Sequence, residues 1–195
     1  PIAFEDLYLR LEKYNFFISE EEIRQFVGVD DRIVHSFYSE QVNLENFETT
    51  MQELGKIIET SLNEKIIYED SKILLNELSN KEVLQACVSA SPYKLLLKKL
   101  KEVDIENSFK YIIGGDMVNR NKPYPDIYNK AISELGTYKN LIIEDSPTGI
   151  SSGKASDSFV LAIDRGMFSK DDLSEADLIV EDLNFETVES IFQSL

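Results

Sequence analysis

The sequence predicts an α/β protein: a Rossmann-like, doubly wound parallel sheet as the core, with a small all-helical cap domain beside it. Three observations lead there. Residues 1–66 carry helical apolar stripes and no β-rich run. From about residue 67, short apolar runs alternate with amphipathic segments, and strands separated by helices pair in parallel. The 195 residues, 43% apolar, suffice for one core plus a small satellite domain. The expected division is a helical domain over 1–66 and an α/β core over 67–195.

In the first part, Phe4, Leu7, Tyr8, Leu11 and Tyr14 fall on one helical stripe. Ser19-Glu20-Glu21-Glu22 is a capping-box pattern: the Ser oxygen takes one free amide and Glu22 reaches back to another. A helix is expected over Asp31–Ser39, and Phe47, Met51, Leu54 and Ile58 form a further stripe. In the second part the strand candidates are Leu84–Ser89, Tyr111–Gly114, Leu141–Glu144, Phe159–Ile163 and Leu178–Val180. Ser91-Pro92 reads as N-cap and first-position proline of a helix carrying Leu95, Leu96, Leu100 and Val103. Asp126 reads as the cap of another, striped by Ile127, Tyr128, Ala131, Ile132 and Leu135 and ended by Gly136. Ser146-Pro147 repeats the cap-plus-proline pattern, and Phe185, Val188, Ile191, Phe192 and Leu195 make a closing helix.

Charge narrows the function classes. The net charge is −16, from 36 acidic against 20 basic residues. Such a surface repels nucleic acid and anionic membranes, so neither is an expected partner. Phosphate chemistry on this chain needs a local cation to reverse the field. One cysteine, Cys87, excludes a disulfide framework and a multi-cysteine zinc site. No apolar run reaches transmembrane length, and no signal-peptide pattern opens the sequence. A cytoplasmic protein is expected.

Ligands of doubly wound sheets bind beyond the carboxyl ends of the strands. There the first strand delivers Ser89, then Ala90-Ser91-Pro92 and a helix start, a hydroxyl beside free amides that suits phosphate. Leu141–Glu144 delivers Glu144 and Asp145, adjacent carboxylates suited to a hard cation such as Mg²⁺. Between them, Lys122 stands in the proline-flanked loop Asn121-Lys122-Pro123-Tyr124-Pro125-Asp126. Singly, each element reads as a helix cap, a solvated turn or a surface lysine. Their ordered combination points to one site.

The segments VSASP, GGD…NKPYPDIYNKA and LIIEDSPTGI resemble the second, third and fourth motifs of the haloacid dehalogenase superfamily. They are most similar to its β-phosphoglucomutase-like phosphatases with a helical cap, and the resemblance covers nearly the whole chain. It implies that Ser89 and Lys122 are catalytic and that Ser89, Ala90 and Lys122 bind the phosphoryl group of a small, sugar-phosphate-like metabolite. It implies that Glu144 and Asp145 hold Mg²⁺, and that a cap closes over the site. The implied reaction is phosphoryl transfer to an Asp nucleophile followed by hydrolysis of the aspartyl-phosphate.

The first motif of that family, Asp-x-Asp-Gly on a central strand, does not occur in the 195 residues. The resemblance places it upstream of Pro1, so these residues alone are expected to show little or no phosphatase activity. A central parallel strand is buried on both faces and paired on both edges. The same slot is otherwise to be filled by another segment or copy, or the chain is a non-catalytic binding or regulatory relative. Milder departures are Asn121, Ser156-Asp157 and Glu69-Asp70, where the family often has Gly, Ala-Gly and Pro-Gly. The Ser89-Ala90-Ser91 triplet also resembles the phosphosugar mutases, the alternative reading. Mutase caps carry a basic residue after a Gly-Val-Ser turn, whereas Gly28-Val29 is followed here by Asp30-Asp31, then Arg32, which favours a phosphatase. His35 is expected to be a packing or surface residue, Cys87 a buried inert thiol and Asp116 a loop residue. Asp164 and Arg165 are expected at most to rim the site.

Overall fold

The computed structural model describes residues 13–16, 19, 22, 25, 26, 29, 31–61 and 67–195. The stripe Phe4–Leu11 and the turn residues Gly28 and Asp30 lie outside them. In the helical part, Ser19 and Glu22 form the reciprocal capping box: the Ser19 amide donates to Glu22 Oε2 at 2.9 Å, and the Glu22 amide donates to Ser19 Oγ at 3.2 Å. Helix α1 spans Asp31–Ser39 and α2 Phe47–Ser61. Val34 and Tyr38 are buried against Phe16, Phe26, Val29, Val42 and Leu44. His35 is tied to this packing, with Nε2 2.9 Å from the Glu45 carbonyl and its ring edge-on to Phe47.

The α/β part runs α3 (Glu69–Asn80), β1 (Ala86–Ser89), α4 (Tyr93–Glu102), β2 (Tyr111–Gly114) and α5 (Asp126–Leu135). It continues through β3 (Leu141–Glu144), α6 (Pro147–Lys154), β4 (Phe159–Ile163), β5 (Leu178–Val180) and α7 (Phe185–Ser194). All five strand expectations are met, the first shortened to start at Ala86. Two helix starts differ from the sequence reading. Helix α4 begins at Tyr93 with Pro92 as N-cap, because the Asp116 carboxylate accepts the Tyr93 amide at 2.7 Å in place of a Ser91 cap. Helix α5 has Pro125 at its N-cap, and Asp126 instead pairs with Arg120 at 2.8 Å. Ser146 caps α6 as expected, accepting the Gly149 amide at 3.1 Å, and Gly136 closes α5 in the left-handed region.

Every strand pairing is parallel, but the pairs form two sheets: β1–β2, and β3–β4–β5. Alternation along the strands sends side chains to both faces. Val160, Ala162, Ile142 and Ile113 pack with Ile127, Ala131 and Ile150 of α5 and α6. On the opposite face Leu161 meets Leu74 and Leu78 of α3 and Val188 and Ile191 of α7. Helix α5 thus holds both sheets together. Between their facing edges lies a cavity of about 480 Å³, lined by Cys87 and Val88 of β1, Ile142 and Ile143 of β3, and apolar side chains of α3, α5 and α7. Among the described residues, the edges of β1 and β3 facing it have no strand partner.

Two of the three departures noted above are explained by the backbone and by a distant partner. Asp157 adopts φ 56°, the left-handed conformation that Gly takes without penalty. Asp70 receives a fork from Arg165, both contacts at 2.8 Å, and accepts the Leu183 amide at 3.0 Å. The Arg165 guanidinium also lies 4.1 Å from the Tyr68 ring centroid. Arg165 therefore tethers the start of α3 to the β4 end instead of rimming a site.

The Arg165 hydrogen bonds hold the Asp70 carboxyl at about 2, below its ordinary 3.8. Its stabilising contribution is therefore full above about pH 4 and is lost as pH falls towards 2. Asp70→Asn should cost on the order of 2 kcal/mol at pH 7, with wild type and variant converging near pH 2, read by urea denaturation at several pH values. Asp157→Gly should stabilise by about 0.5–1 kcal/mol in the same assay, because it removes the left-handed penalty.

Candidate functional site

The cavity lining reaches Val88 of β1, Ile143 of β3 and Tyr128 of α5, and the residues just beyond those strand ends, with the loop before α5, make up its mouth. Ser89, Lys122 and Glu144 are delivered there by three different segments, which is why no local pattern reveals their proximity. Ser89 Oγ accepts the Ser91 amide at 3.2 Å, curling the chain after β1 into a tight loop ahead of α4. That loop is clamped by the Gly115 amide on the Ser91 carbonyl at 3.0 Å and by Asp116 on the Tyr93 amide. Asp116 is thus a loop residue, as its position suggested.

Lys122 is buried, at 7% exposure, which a lysine tolerates only with a partner. Its Nζ donates to Glu144 Oε1 and lies 3.5 Å from the Val88 carbonyl, so the ammonium bridges the ends of β1 and β3. The Tyr128 ring lies 5.0 Å away, and its hydroxyl donates to the same Glu144 oxygen. Glu144 Oε2 accepts Ser146 Oγ at 3.2 Å and the Asp145 amide at 3.3 Å. Four donors therefore surround a carboxylate that is itself 8% exposed. Gly149 lies directly against it, and a Cβ there would overlap the Glu144 carboxyl group.

The electrostatics follow from this enclosure. Burial alone raises a carboxyl, but the Lys122 charge and the bonds from Lys122 and Tyr128 bring Glu144 below its ordinary value. Burial and then the Glu144 charge push the Tyr128 hydroxyl well above 10. Asp145 keeps an exposed face at the mouth, yet the surrounding protein and the Glu144 charge raise its carboxyl. Burial drives the Cys87 thiol up to about 11, so it is protonated and inert at neutral pH.

Among the described residues, no three His, Cys, Asp or Glu side chains converge as a metal site. A Mg²⁺ ion commonly takes one or two carboxylates, with water and substrate phosphate completing its shell. Asp145, open at the mouth, fits that role. Glu144 fits it only on releasing Lys122. Of the residues expected from sequence, Ser89, Ala90, Lys122, Glu144 and Asp145 all lie around this mouth.

Two contributors escaped sequence reasoning. Tyr128 read as one more apolar position on the α5 stripe. The signal was its hydroxyl, since a fully enclosed helical position facing a strand end otherwise favours Leu or Phe. Asn121 read as a turn departure, but its side chain donates to the Ala90 carbonyl at 2.9 Å.

Comparison with known proteins agrees with this fold. A phosphorylated carbohydrates phosphatase of Thermotoga maritima is 26% identical over 163 residues, 80% of this chain and 74% of that protein. Protein CbbY of Rhodobacter capsulatus is 34% identical over 85 residues, 43% of this chain and 37% of that protein, so the alignment spans little more than a third of it. The crystal structure of β-phosphoglucomutase from Clostridium difficile superposes with a TM-score of 0.82 at 17% identity, covering 99% of this chain and 90% of that one. The haloacid dehalogenase-like hydrolases match residues 3–163, and the chain belongs to that family.

Proposed function

We propose that the protein is a Mg²⁺-dependent phosphomonoesterase acting on a small phosphorylated, sugar-like metabolite. The observation that carries this reading is the buried Lys122 ammonium held between the Val88 carbonyl and Glu144, at the ends of β1 and β3, in a chain of net charge −16. A cation so placed reverses the local field for a phosphoryl group, and in a water-poor site it acts at low effective dielectric. The Ser89 hydroxyl supplies a further donor, while the Ser91 and Tyr93 amides are already held by Ser89 Oγ and Asp116. Mg²⁺ would be held by Asp145 and would supply charge neutralisation on the phosphoryl oxygens. The similarity to a phosphatase of phosphorylated carbohydrates supports the substrate class.

In this reading the nucleophilic aspartate sits on a strand occupying the cavity between β1 and β3. Among the described residues both flanking edges are parallel and without a strand partner, and their lining is mostly apolar, as a central strand requires. The carboxyl end of such a strand emerges beside Lys122, which then pairs with the nucleophile. A phosphosugar mutase is the second reading, favoured by the Ser89-Ala90-Ser91 loop. It predicts transfer of the phosphoryl group to a second sugar hydroxyl instead of release of inorganic phosphate.

The test is a phosphate-release assay over a panel of sugar phosphates with and without Mg²⁺. Residues 1–195 alone should give no turnover. The chain extended before Pro1 by a strand carrying Asp-x-Asp-Gly should turn over, and Lys122→Met should lower kcat by about 10³-fold or more. Vigorous Mg²⁺-dependent hydrolysis by residues 1–195 alone would refute the assignment of the nucleophile.

The buried pair generates a second expectation. Lys122→Met leaves Glu144 as an uncompensated buried charge and should cost roughly 3–5 kcal/mol. Adding Glu144→Gln removes that charge and should recover much of the loss, both read as denaturation free energies.

A further inference from the structure

We infer that Asn121 is a positioning residue, a strut that fixes the spacing between the loop after β1 and the Lys122 ammonium. The inference rests on the phosphatase reading, in which both act on one phosphoryl group. Asn121 Nδ2 donates to the Ala90 carbonyl at 2.9 Å, and Asn121 Oδ1 accepts the Lys122 amide at 2.8 Å. One rigid, planar amide therefore joins the backbone of the hydroxyl-bearing loop to the backbone of the residue that carries the ammonium. The two loops are 31 residues apart in sequence.

The surroundings are shaped for this contact. Gly115 forms its floor: a Cβ there would overlap both the Asn121 amide and the Ala90 carbonyl. The other side of the loop is fixed separately. Ser91 is held through the Gly115 amide and Ser89 Oγ, and Tyr93 is held by Asp116. Asn121 holds the Ala90 carbonyl on the lysine side. The chemistry of the contact makes the residue type specific. Serine at this position can still accept the Lys122 amide, but it is too short to reach Ala90. Aspartate keeps the acceptor and loses the donor, setting a carboxylate against the Ala90 carbonyl. Alanine loses both bonds.

The test compares wild type with Asn121→Ala, Asn121→Ser and Asn121→Asp as full chains. Amide hydrogen exchange across residues 89–93 reads the strut, and calorimetric binding of inorganic phosphate in Mg²⁺ reads its use. Alanine and serine should both accelerate exchange at Ser91 and Tyr93 and weaken phosphate binding about tenfold, the scale of one hydrogen bond. Aspartate should weaken it further, with all thermal midpoints within a few degrees of wild type. If serine restores wild-type binding, Asn121 serves only the local turn and the inference fails. Unchanged exchange in the alanine variant overturns it whatever phosphate does. Wild type that binds no phosphate removes the phosphatase reading instead, and the exchange result still decides whether the strut exists.

Discussion

The ion pair between Lys122 and Glu144 is the constraint around which this half of the molecule is arranged. Both partners are buried, and desolvating two charges is costly unless every remaining polar valence is met. The structure meets that requirement with Tyr128, Ser146 and the Asp145 amide. Several sequence features follow from it. The second residue after the Ser146-Pro147 cap must leave room, and Gly149 does. Helix α5 must present a hydroxyl among apolar residues, and Tyr128 supplies it. The proline-flanked loop must carry a lysine inward, so its chain path is stiff. A buried pair of this kind contributes little net stability compared with apolar residues of the same shape, so its presence argues for a role in the site's charge.

The divided sheet is the second organising fact, and it is coupled to the first. Helix α5 packs on both halves through Ile127, Tyr128 and Ala131, while Lys122 reaches from Val88 on one half to Glu144 on the other. The two sheets are thus spanned at one end by an ammonium and along one face by a helix, with an apolar cavity between. Backbone groups on two facing edges create a demand for hydrogen-bonding partners that side chains of the lining cannot satisfy. In the proposed reading, an occupant of the cavity is apolar along its length and, at its carboxyl end, shares Lys122 with Glu144.

Most of the architecture was legible because its signals are local. Helix α1 at Asp31–Ser39, the five strands, the Ser146 cap and the Gly136 terminus each depend on residues within a turn or two of one another. Where the reading missed, the deciding partner was distant in sequence. Asp116 displaced Ser91 as the cap of α4 from 23 residues away. Asp70 looked like drift at a turn, but its partner Arg165 lies 95 residues on. The site was legible as a set of residue types at strand ends, and the topology rule brought them together. Its internal wiring was not, since nothing local announces that Glu144 turns inward while Asp145 turns out.

That inward and outward division explains how so acidic a chain can host an anionic ligand. Asp145 alone would add to the repulsion, and its carboxyl is raised by the surrounding protein first and by the Glu144 charge second. Glu144 would add more if it faced the mouth. Buried against Lys122, it is neutralised and at the same time fixes the ammonium where β1 and β3 end. The field an approaching phosphoryl group meets is then set by the Lys122 ammonium, the Ser89 hydroxyl and whatever balances Asp145. A divalent cation at Asp145 would invert the last of these terms. A monovalent one would only cancel it, so the ammonium and the charge state of the exposed Asp145 carboxylate together decide whether the mouth repels or attracts phosphate.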